Sequence, residues 1–170
     1  MNPGEWLQRA AARWPDAPAL LTGDTVVANY TVFAARAAAI AGALRQTLQP
    51  GDRVALFAKN STQYLEALYG IWWAGAVAVP INGKLHPAEA AWIVEDAGAR
   101  LVMVGSGECA DMGRRCPDAA IIGFGSDSFE ALTRAAPLPD PHPTGSDDMI
   151  WLFYTSGTTG SPKGAELSHS

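Results

Sequence analysis

Residues 149–164 read MIWLFYTSGTTGSPKG, an apolar run that passes directly into a loop of small and polar residues. The apolar run predicts a buried strand. The ten residues that follow it combine three glycines with several hydroxyl side chains and one lysine. Glycine lets backbone N–H groups approach a ligand closely, hydroxyls donate hydrogen bonds to anionic oxygens, and lysine adds a mobile positive charge. A strand that leads into such a loop is typical of a phosphate-binding site.

Two common nucleotide-binding patterns do not explain this loop. A Walker-type loop ends in Gly-Lys-Ser/Thr, whereas here Pro162 precedes Lys163 and Gly164 follows it. The spaced glycines of a dinucleotide-binding turn are also missing from the segment. A plain surface loop stays open on composition alone, since turns rich in glycine and polar residues are common.

Upstream of the loop, short apolar runs alternate with segments of helical periodicity. This alternation predicts an α/β fold, in which a mainly parallel sheet is covered by helices on both faces. The predicted strands are 54–58, 76–79, 100–104 and 119–124. Helices are predicted to begin near Pro3, at Thr31 as N-cap, at Asn60 or Ser61 as N-cap, and near Pro87. One stripe of the second helix should face the core: Phe33, Ala37, Ile40, Ala41, Leu44 and Leu48.

Outside these elements, residues 20–30 predict a hairpin that turns at Gly23 and Asp24. The pattern weakens between residues 105 and 118, and a short helix is predicted over 129–136. Residues 137–143 read PLPDPHP and predict an extended surface connector, because proline continues neither a helix nor a central strand. A further helix is expected to begin near His169. The sequence is thus divided into an N-terminal α/β subdomain (1–136), a proline-rich connector (137–147), and the strand with its phosphate loop (148–170).

The overall composition disfavours some classes of function. With a formal net charge of -5 and a pI near 5.1, the 170 residues create no basic field that would attract nucleic acid or an anionic membrane. The uncharged stretch 67–83 is interrupted by glycine and proline, which predicts buried elements and no membrane span. Cys109 and Cys116 fit no zinc pattern, so they predict free thiols in a cytoplasmic protein. The oligomeric state stays open.

The order of the loop residues carries a more specific indication than their composition. Residues 154–164, followed by Leu167-Ser168-His169, resemble the phosphate-loop signature of the superfamily of acyl-CoA synthetases, nonribosomal adenylation domains and luciferases. The resemblance continues upstream and covers nearly the whole chain. The agreeing segments are 14–20, 30–31, 51–54, 75–82 and 95–100. Two departures are His86, where a serine or threonine commonly caps the helix, and Asn29, where threonine is common.

The resemblance implies the N-terminal part of an AMP-forming carboxylate–CoA ligase, within the large N-terminal domain of an adenylate-forming enzyme. Such an enzyme uses ATP, Mg²⁺, coenzyme A and a small-molecule carboxylic acid. The residues that the resemblance places on the phosphates are Thr155, Ser156, Gly157, Thr158, Thr159, Gly160 and Lys163. It places no catalytic residue or metal ligand in this portion, since family members carry those further along, with the acyl pocket and a lid domain.

Because the acyl pocket of family members lies further along the chain, several alternatives stay open. The acid is open among fatty, aryl and short-chain acids, with amino acids less favoured, and the acceptor thiol is open between coenzyme A and a carrier protein. A non-catalytic nucleotide-binding or assembly module is the rival from another class. His169 is interpreted as a structural residue and not as an acid–base group.

Overall fold

The computed structural model describes residues 1–155 and 162–168, and these form six helices and eight strands. The helices are α1 (Pro3–Arg13), α2 (Tyr30–Leu44), α3 (Thr62–Trp73), α4 (Pro87–Asp96), α5 (Cys109–Arg115) and α6 (Asp127–Leu132). The strands are β1 (Pro18–Thr22), β2 (Thr25–Asn29), β3 (Arg53–Ala58), β4 (Val77–Asn82), β5 (Leu101–Val104), β6 (Ala120–Gly123), β7 (Met149–Thr155) and β8 (Lys163–Ser168).

Six of the strands form one sheet in the order β6-β5-β3-β4-β7-β8. The first five of these run parallel to their neighbours, and β8 is antiparallel to β7. Strands β1 and β2 form a separate antiparallel hairpin. The predicted mainly parallel sheet and the predicted hairpin are therefore confirmed.

The sheet is covered by helices on both faces, as predicted. On one face α2 and α3 pack over strand residues such as Leu56 and Met103. On the other face α4 and α5 pack over residues such as Phe57 and Val104. Both faces of the central strands are therefore apolar, which explains why these strands read as continuous hydrophobic runs. All six residues of the predicted stripe along the second helix and its exit are buried.

The helix N-caps correct one prediction. Helix α2 begins at Tyr30, so its N-cap is Asn29, whose Oδ1 accepts a hydrogen bond from the backbone N–H of Val32 at 2.9 Å. Thr31, the predicted cap, lies inside the helix and its Oγ1 donates to the carbonyl of Pro15 at 3.0 Å. Asparagine and threonine side chains can both cap a helix. Asn29 is the cap here because it has the extended backbone that an N-cap needs.

Of the two caps predicted for α3, Asn60 or Ser61, the structure has Ser61, and His86 caps α4 although it departs from the usual serine or threonine. Ser61 caps α3, with its Oγ accepting from the backbone N–H of Tyr64 at 3.1 Å. His86 caps α4 through Nδ1, which accepts from the backbone N–H of Ala88 at 3.1 Å. The Glu89 carboxylate accepts from the backbone N–H of His86 in return, at 3.1 Å. The imidazole nitrogen thus accepts the hydrogen bond that a serine or threonine hydroxyl would accept, so the helix is capped although His86 replaces the usual residue.

The later part of the chain differs more from the predictions. Helix α5 and strand β8 were not predicted. The short helix α6 spans Asp127–Leu132 and not the predicted 129–136. It begins earlier because the Ser126 Oγ accepts from the backbone N–H of Phe129 at 3.2 Å and caps it, and it ends earlier, with Thr133 as C-cap. The helix expected near His169 lies outside the described residues.

Residues 137–143, called the strap from here on, form neither a helix nor a strand, and hydrogen bonds hold them to the helices. The backbone N–H of Leu138 donates to the carbonyl of Ala38 at 2.9 Å, and the Trp73 Nε1 donates to the carbonyl of Leu138 at 2.9 Å. The backbone N–H of His142 donates to the carbonyl of Trp73 at 2.8 Å. The strap is therefore fixed along α2 and α3.

Asn2 joins the strap to the first residues of the chain. Its side chain is fully buried, and its Nδ2 donates to the carbonyl of Trp72 at 2.6 Å and to the carbonyl of His142 at 2.8 Å. Its Oδ1 accepts from the backbone N–H of Gly4 at 2.8 Å and caps α1. One buried amide thus connects three segments that are far apart in sequence.

Both cysteines of the chain, Cys109 and Cys116, are free thiols, as predicted. Within residues 1–155 and 162–168, no helix has the length and apolarity needed to cross a bilayer.

Candidate phosphate-binding site

The chain leaves the carboxyl ends of β3 and β4 in opposite directions. After β3 it enters α3 on one face of the sheet, and after β4 it enters α4 on the other face. Strand β4 lies on one side of β3, and β5, which follows α4, lies on the other side. Such a reversal opens a crevice at the carboxyl edge of an open α/β sheet, where ligands bind.

A cleft of about 490 Å³ occupies this position. Its walls come from the turns after β3 and β4 and from β7, with Lys59, Asn60, Asn82, Lys84 and Tyr154 among them. The two lysines are exposed, and the described residues that line the cleft include no Asp or Glu. The cleft therefore has a positive mouth that suits an anionic ligand.

The predicted phosphate loop opens at the same edge of the sheet. It connects β7 to β8, and the two strands pair up to the described ends of the loop, where Thr155 is the register partner of Lys163. Both of these side chains are exposed. Since β7 is parallel to β4, Thr155 lies at the edge where the cleft opens. The structure thus brings together the two predicted site residues that it describes.

The other predicted site residues lie outside the described residues. They are Ser156, Gly157, Thr158, Thr159 and Gly160. Sequence analysis missed the lysines of the cleft, Lys59 and Lys84. A signal was available, because each lysine follows the end of a predicted parallel strand, and these ends share one edge of the sheet.

Tyr154, immediately before the loop, is held by two contacts to α4. Its hydroxyl donates to the Asp96 Oδ2 at 2.7 Å. The Trp92 ring meets its ring edge-on, with the centroids 6.2 Å apart and the planes at 89°. Partial burial, and then the hydrogen bond to Asp96, raise the pKa of Tyr154 far above its ordinary value. The phenol therefore keeps its proton and remains a donor at neutral pH.

The part of the chain that the structure describes has no cluster of three or more metal-ligating side chains. No three His, Cys, Asp or Glu side chains there come together in a group that could hold a metal ion. Magnesium that accompanies a nucleotide is held by few protein carboxylates together with phosphate oxygens.

Gly83 forms part of the cleft, and its replacement tests how closely the strand ends approach. A Cβ on Gly83 would lie 2.6 Å from the carbonyl carbon of Ala58, where packed atoms cannot go. We expect Gly83→Ala to push the ends of β3 and β4 apart and to cost about 1–3 kcal/mol of unfolding free energy. Thermal and urea unfolding would measure this loss.

Gly105→Ala is the matched control for Gly83→Ala. Gly105 follows β5 at the same edge of the sheet, and a Cβ there meets nothing within 4 Å. Its replacement should change the unfolding free energy by no more than about 0.5 kcal/mol. Equal stability of the two variants would mean that the turn after β4 shifts without cost, contrary to the expectation.

Comparison with known proteins places this arrangement in a family. The model of the AMP-binding enzymes matches residues 7–170. Feruloyl-CoA synthase from Amycolatopsis sp is 36% identical to this chain over 167 aligned residues. The alignment covers 98% of this chain and 33% of that protein. Long-chain-fatty-acid–CoA ligase FadD13 from Mycobacterium tuberculosis (strain ATCC 25618 / H37Rv) is 34% identical to this chain. That alignment covers 99% of this chain and 35% of that protein.

A solved structure shows the same fold. The anthranilate CoA ligase AuaEII, in complex with anthranoyl-AMP, matches 99% of this chain with a TM-score of 0.88 and 27% identity, and the match covers 35% of that chain. The present chain therefore spans about a third of the length of the relatives that it matches. The family model matches nearly the whole chain, including β7, the predicted phosphate loop and the parallel sheet, and on this ground the chain belongs to the family of AMP-binding enzymes.

Proposed function

We propose that the protein containing this chain is an AMP-forming ligase, which activates a carboxylic acid with ATP and transfers the acyl group to a thiol. This chain contributes the hairpin that binds the phosphates of ATP. The observation that carries the proposal is the position of the hairpin, whose loop has the family's sequence and opens at the carboxyl edge beside the cleft with its two lysines.

The chemistry explains why a phosphate loop is needed. A carboxylate is a poor electrophile, because expelling oxide from it is unfavourable. In the proposed reaction a carboxylate oxygen attacks the α-phosphorus of ATP, the bond to the bridging oxygen breaks, and pyrophosphate leaves. A thiol then attacks the acyl carbon, AMP leaves, and the thiol proton is released. Negative charge grows on the departing pyrophosphate, so donors and cations along the β- and γ-phosphates lower the barrier.

Each predicted loop residue has a role in this scheme. The hydroxyls of Thr155, Ser156, Thr158 and Thr159 donate to phosphate oxygens, and Gly157 and Gly160 present backbone N–H groups. Lys163 places its ammonium near the terminal phosphates. The described pair, Thr155 and Lys163, supports the scheme because both side chains are exposed at the base of the loop. Magnesium would neutralise further phosphate charge.

The relatives suggest which classes of acid and which acceptor thiol the complete protein uses. Ligases for ferulate and for long-chain fatty acids are both about a third identical to this chain, so aryl and fatty acids are the first candidates. Coenzyme A is the first candidate for the acceptor. We also infer a cytoplasmic location, where the two free thiols would stay reduced.

Acid-dependent exchange of labelled pyrophosphate into ATP would test the proposal in the complete protein. We expect exchange with an aryl or a fatty acid and, after coenzyme A is added, a thioester detectable by mass spectrometry. Exchange with amino acids alone would identify an amino-acid adenylation domain. ATP binding without exchange with any acid would contradict the proposal and favour a non-catalytic nucleotide-binding module. Residues 1–170 alone should form no thioester.

A further inference from the structure

The strand that leads into the phosphate loop has few backbone pairs with the rest of the sheet. In the described residues, β3 and β4 pair at six register positions, whereas β4 and β7 pair at one, between Ala78 and Trp151. Beyond Trp151, strand β7 pairs along its length with β8. By its backbone pairing the outer half of the hairpin is thus a two-stranded ribbon, and side-chain contacts, such as those of the buried Leu152, hold it to the rest of the sheet.

The inner half of β7 is held close to its pairing with β4. The Trp72 Nε1 donates to the carbonyl of Ile150 at 3.0 Å. The rings of Trp72 and Trp151 lie 5.0 Å apart. These contacts and the burial of Leu152 fix the strand up to that residue, whereas the residues after it, next to the loop, are half-buried or exposed.

The outer half is held by Tyr154. Its hydroxyl reaches Asp96, the last residue of α4, at 2.7 Å, and its ring packs against Trp92 one turn earlier. Helix α4 is itself anchored in the core through buried residues such as Ile93. The hydrogen bond between Tyr154 and Asp96 therefore connects the ribbon to α4, a helix that is anchored in the core.

Tyr154 is also well placed to control the loop. It directly precedes Thr155, and its register partner Gly164 directly follows Lys163. A shift of Tyr154 would therefore move both described ends of the loop together. Neither Tyr154 nor Asp96 needs to touch the nucleotide to have this effect.

We propose that the hydrogen bond between Tyr154 and Asp96 positions the phosphate loop, by fixing the outer half of the β7–β8 hairpin to α4. The two side chains are positioning residues for ATP. The proposal rests on the proposed function, since it assigns them a part in binding the phosphates.

Steady-state kinetics of pyrophosphate exchange in the complete protein tests this role. Tyr154→Phe keeps the ring and its contact with Trp92 and removes only the donor. We expect it to raise the KM for ATP about tenfold, the loss typical of a hydrogen bond to a charged group, with the KM for the acid within about twofold of the wild type. Tyr30→Phe is the matched control and should leave both constants unchanged.

Changes at Asp96 separate positioning from general structure. Asp96→Asn keeps an oxygen that accepts the bond and should stay close to the wild type, whereas Asp96→Ala should match Tyr154→Phe. The double variant Tyr154→Phe with Asp96→Ala should be no worse than either single variant, because both remove one shared interaction. Additive losses, or equal rises in the KM for ATP and for the acid, would overturn the proposal.

Amide hydrogen exchange tests the bond independently of catalysis. Tyr154→Phe should speed exchange about tenfold over residues 152–155 and 163–166, while β3 and β5 keep their protection. Unchanged exchange in the hairpin would overturn the proposal whether or not the wild type is active. A wild type that shows this response in the hairpin but no acid-dependent pyrophosphate exchange would overturn the proposed function alone.

Discussion

Replacing Lys163 with alanine in the complete protein should lower kcat/KM for ATP about 100-fold, the loss typical of removing one group that stabilises charge in the transition state. Lys163 is exposed at the base of the loop, opposite Thr155. Its ammonium would face the phosphates on which charge grows as pyrophosphate departs. The KM for the acid should stay within about twofold of the wild type, because the acid does not meet this charge.

Two variants control for the loss of a charge and of a long side chain. Lys163→Arg keeps the charge and should recover part of the activity. Arg13→Ala removes an exposed cation at the end of α1, far along the chain from the loop, and should leave the kinetics unchanged. Equal losses in the use of ATP and of the acid by Lys163→Ala would contradict a role on the phosphates, and so would a lowered melting temperature.

Asn2→Ala should lower the unfolding free energy by about 2–4 kcal/mol, since it removes a cap and leaves buried backbone groups without partners. The lost contacts join Asn2 to Trp72, to His142 and to Gly4. The carbonyl of Trp72 keeps a second hydrogen bond, from the backbone N–H of Gly75. Most of the cost should therefore come from the carbonyl of His142 and from the N-terminus of α1.

Asn2→Asp separates the cap from the two donated bonds. Aspartate caps helices as well as asparagine does, but its carboxylate would face two carbonyl oxygens in a buried site. We expect Asn2→Asp to be at least as unstable as Asn2→Ala in urea unfolding. Gln8→Ala removes an exposed hydrogen bond between α1 and Asp140 and should cost no more than about 0.5 kcal/mol. A stable Asn2→Asp variant would show that the cap alone matters.

The parts of the fold that sequence analysis predicted correctly depend on local patterns. The buried strands have apolar runs, and the second helix has a stripe of apolar residues, because both faces of the sheet are covered. The resemblance of residues 154–164 to a phosphate loop came from the order of these residues, and their binding of phosphate stays a prediction. The described ends of this loop, Thr155 and Lys163, do lie together at the carboxyl edge of the sheet.

The parts that were missed depend on contacts between distant residues or on weak patterns. Asn2 and His142 are 140 residues apart, and nothing near either residue indicates the bond between them. Strand β8 is exposed along most of its length, and apolar and polar residues alternate only over 165–168, which is too short a pattern to reveal it. Asn29 and Thr31 are both good caps, and only the backbone conformation at the start of α2 decides between them.

The order of strands in the sheet also has a consequence for biosynthesis. Strand β7 inserts beside β4, although about 70 residues of α4, β5, α5, β6, α6 and the strap separate the two in the chain. As the polypeptide emerges from the ribosome, β3 to β6 can assemble first, with β4 as an unprotected border. Until the last hairpin arrives, that border presents free N–H and C=O groups, and strand exchange with a second nascent copy competes with correct docking.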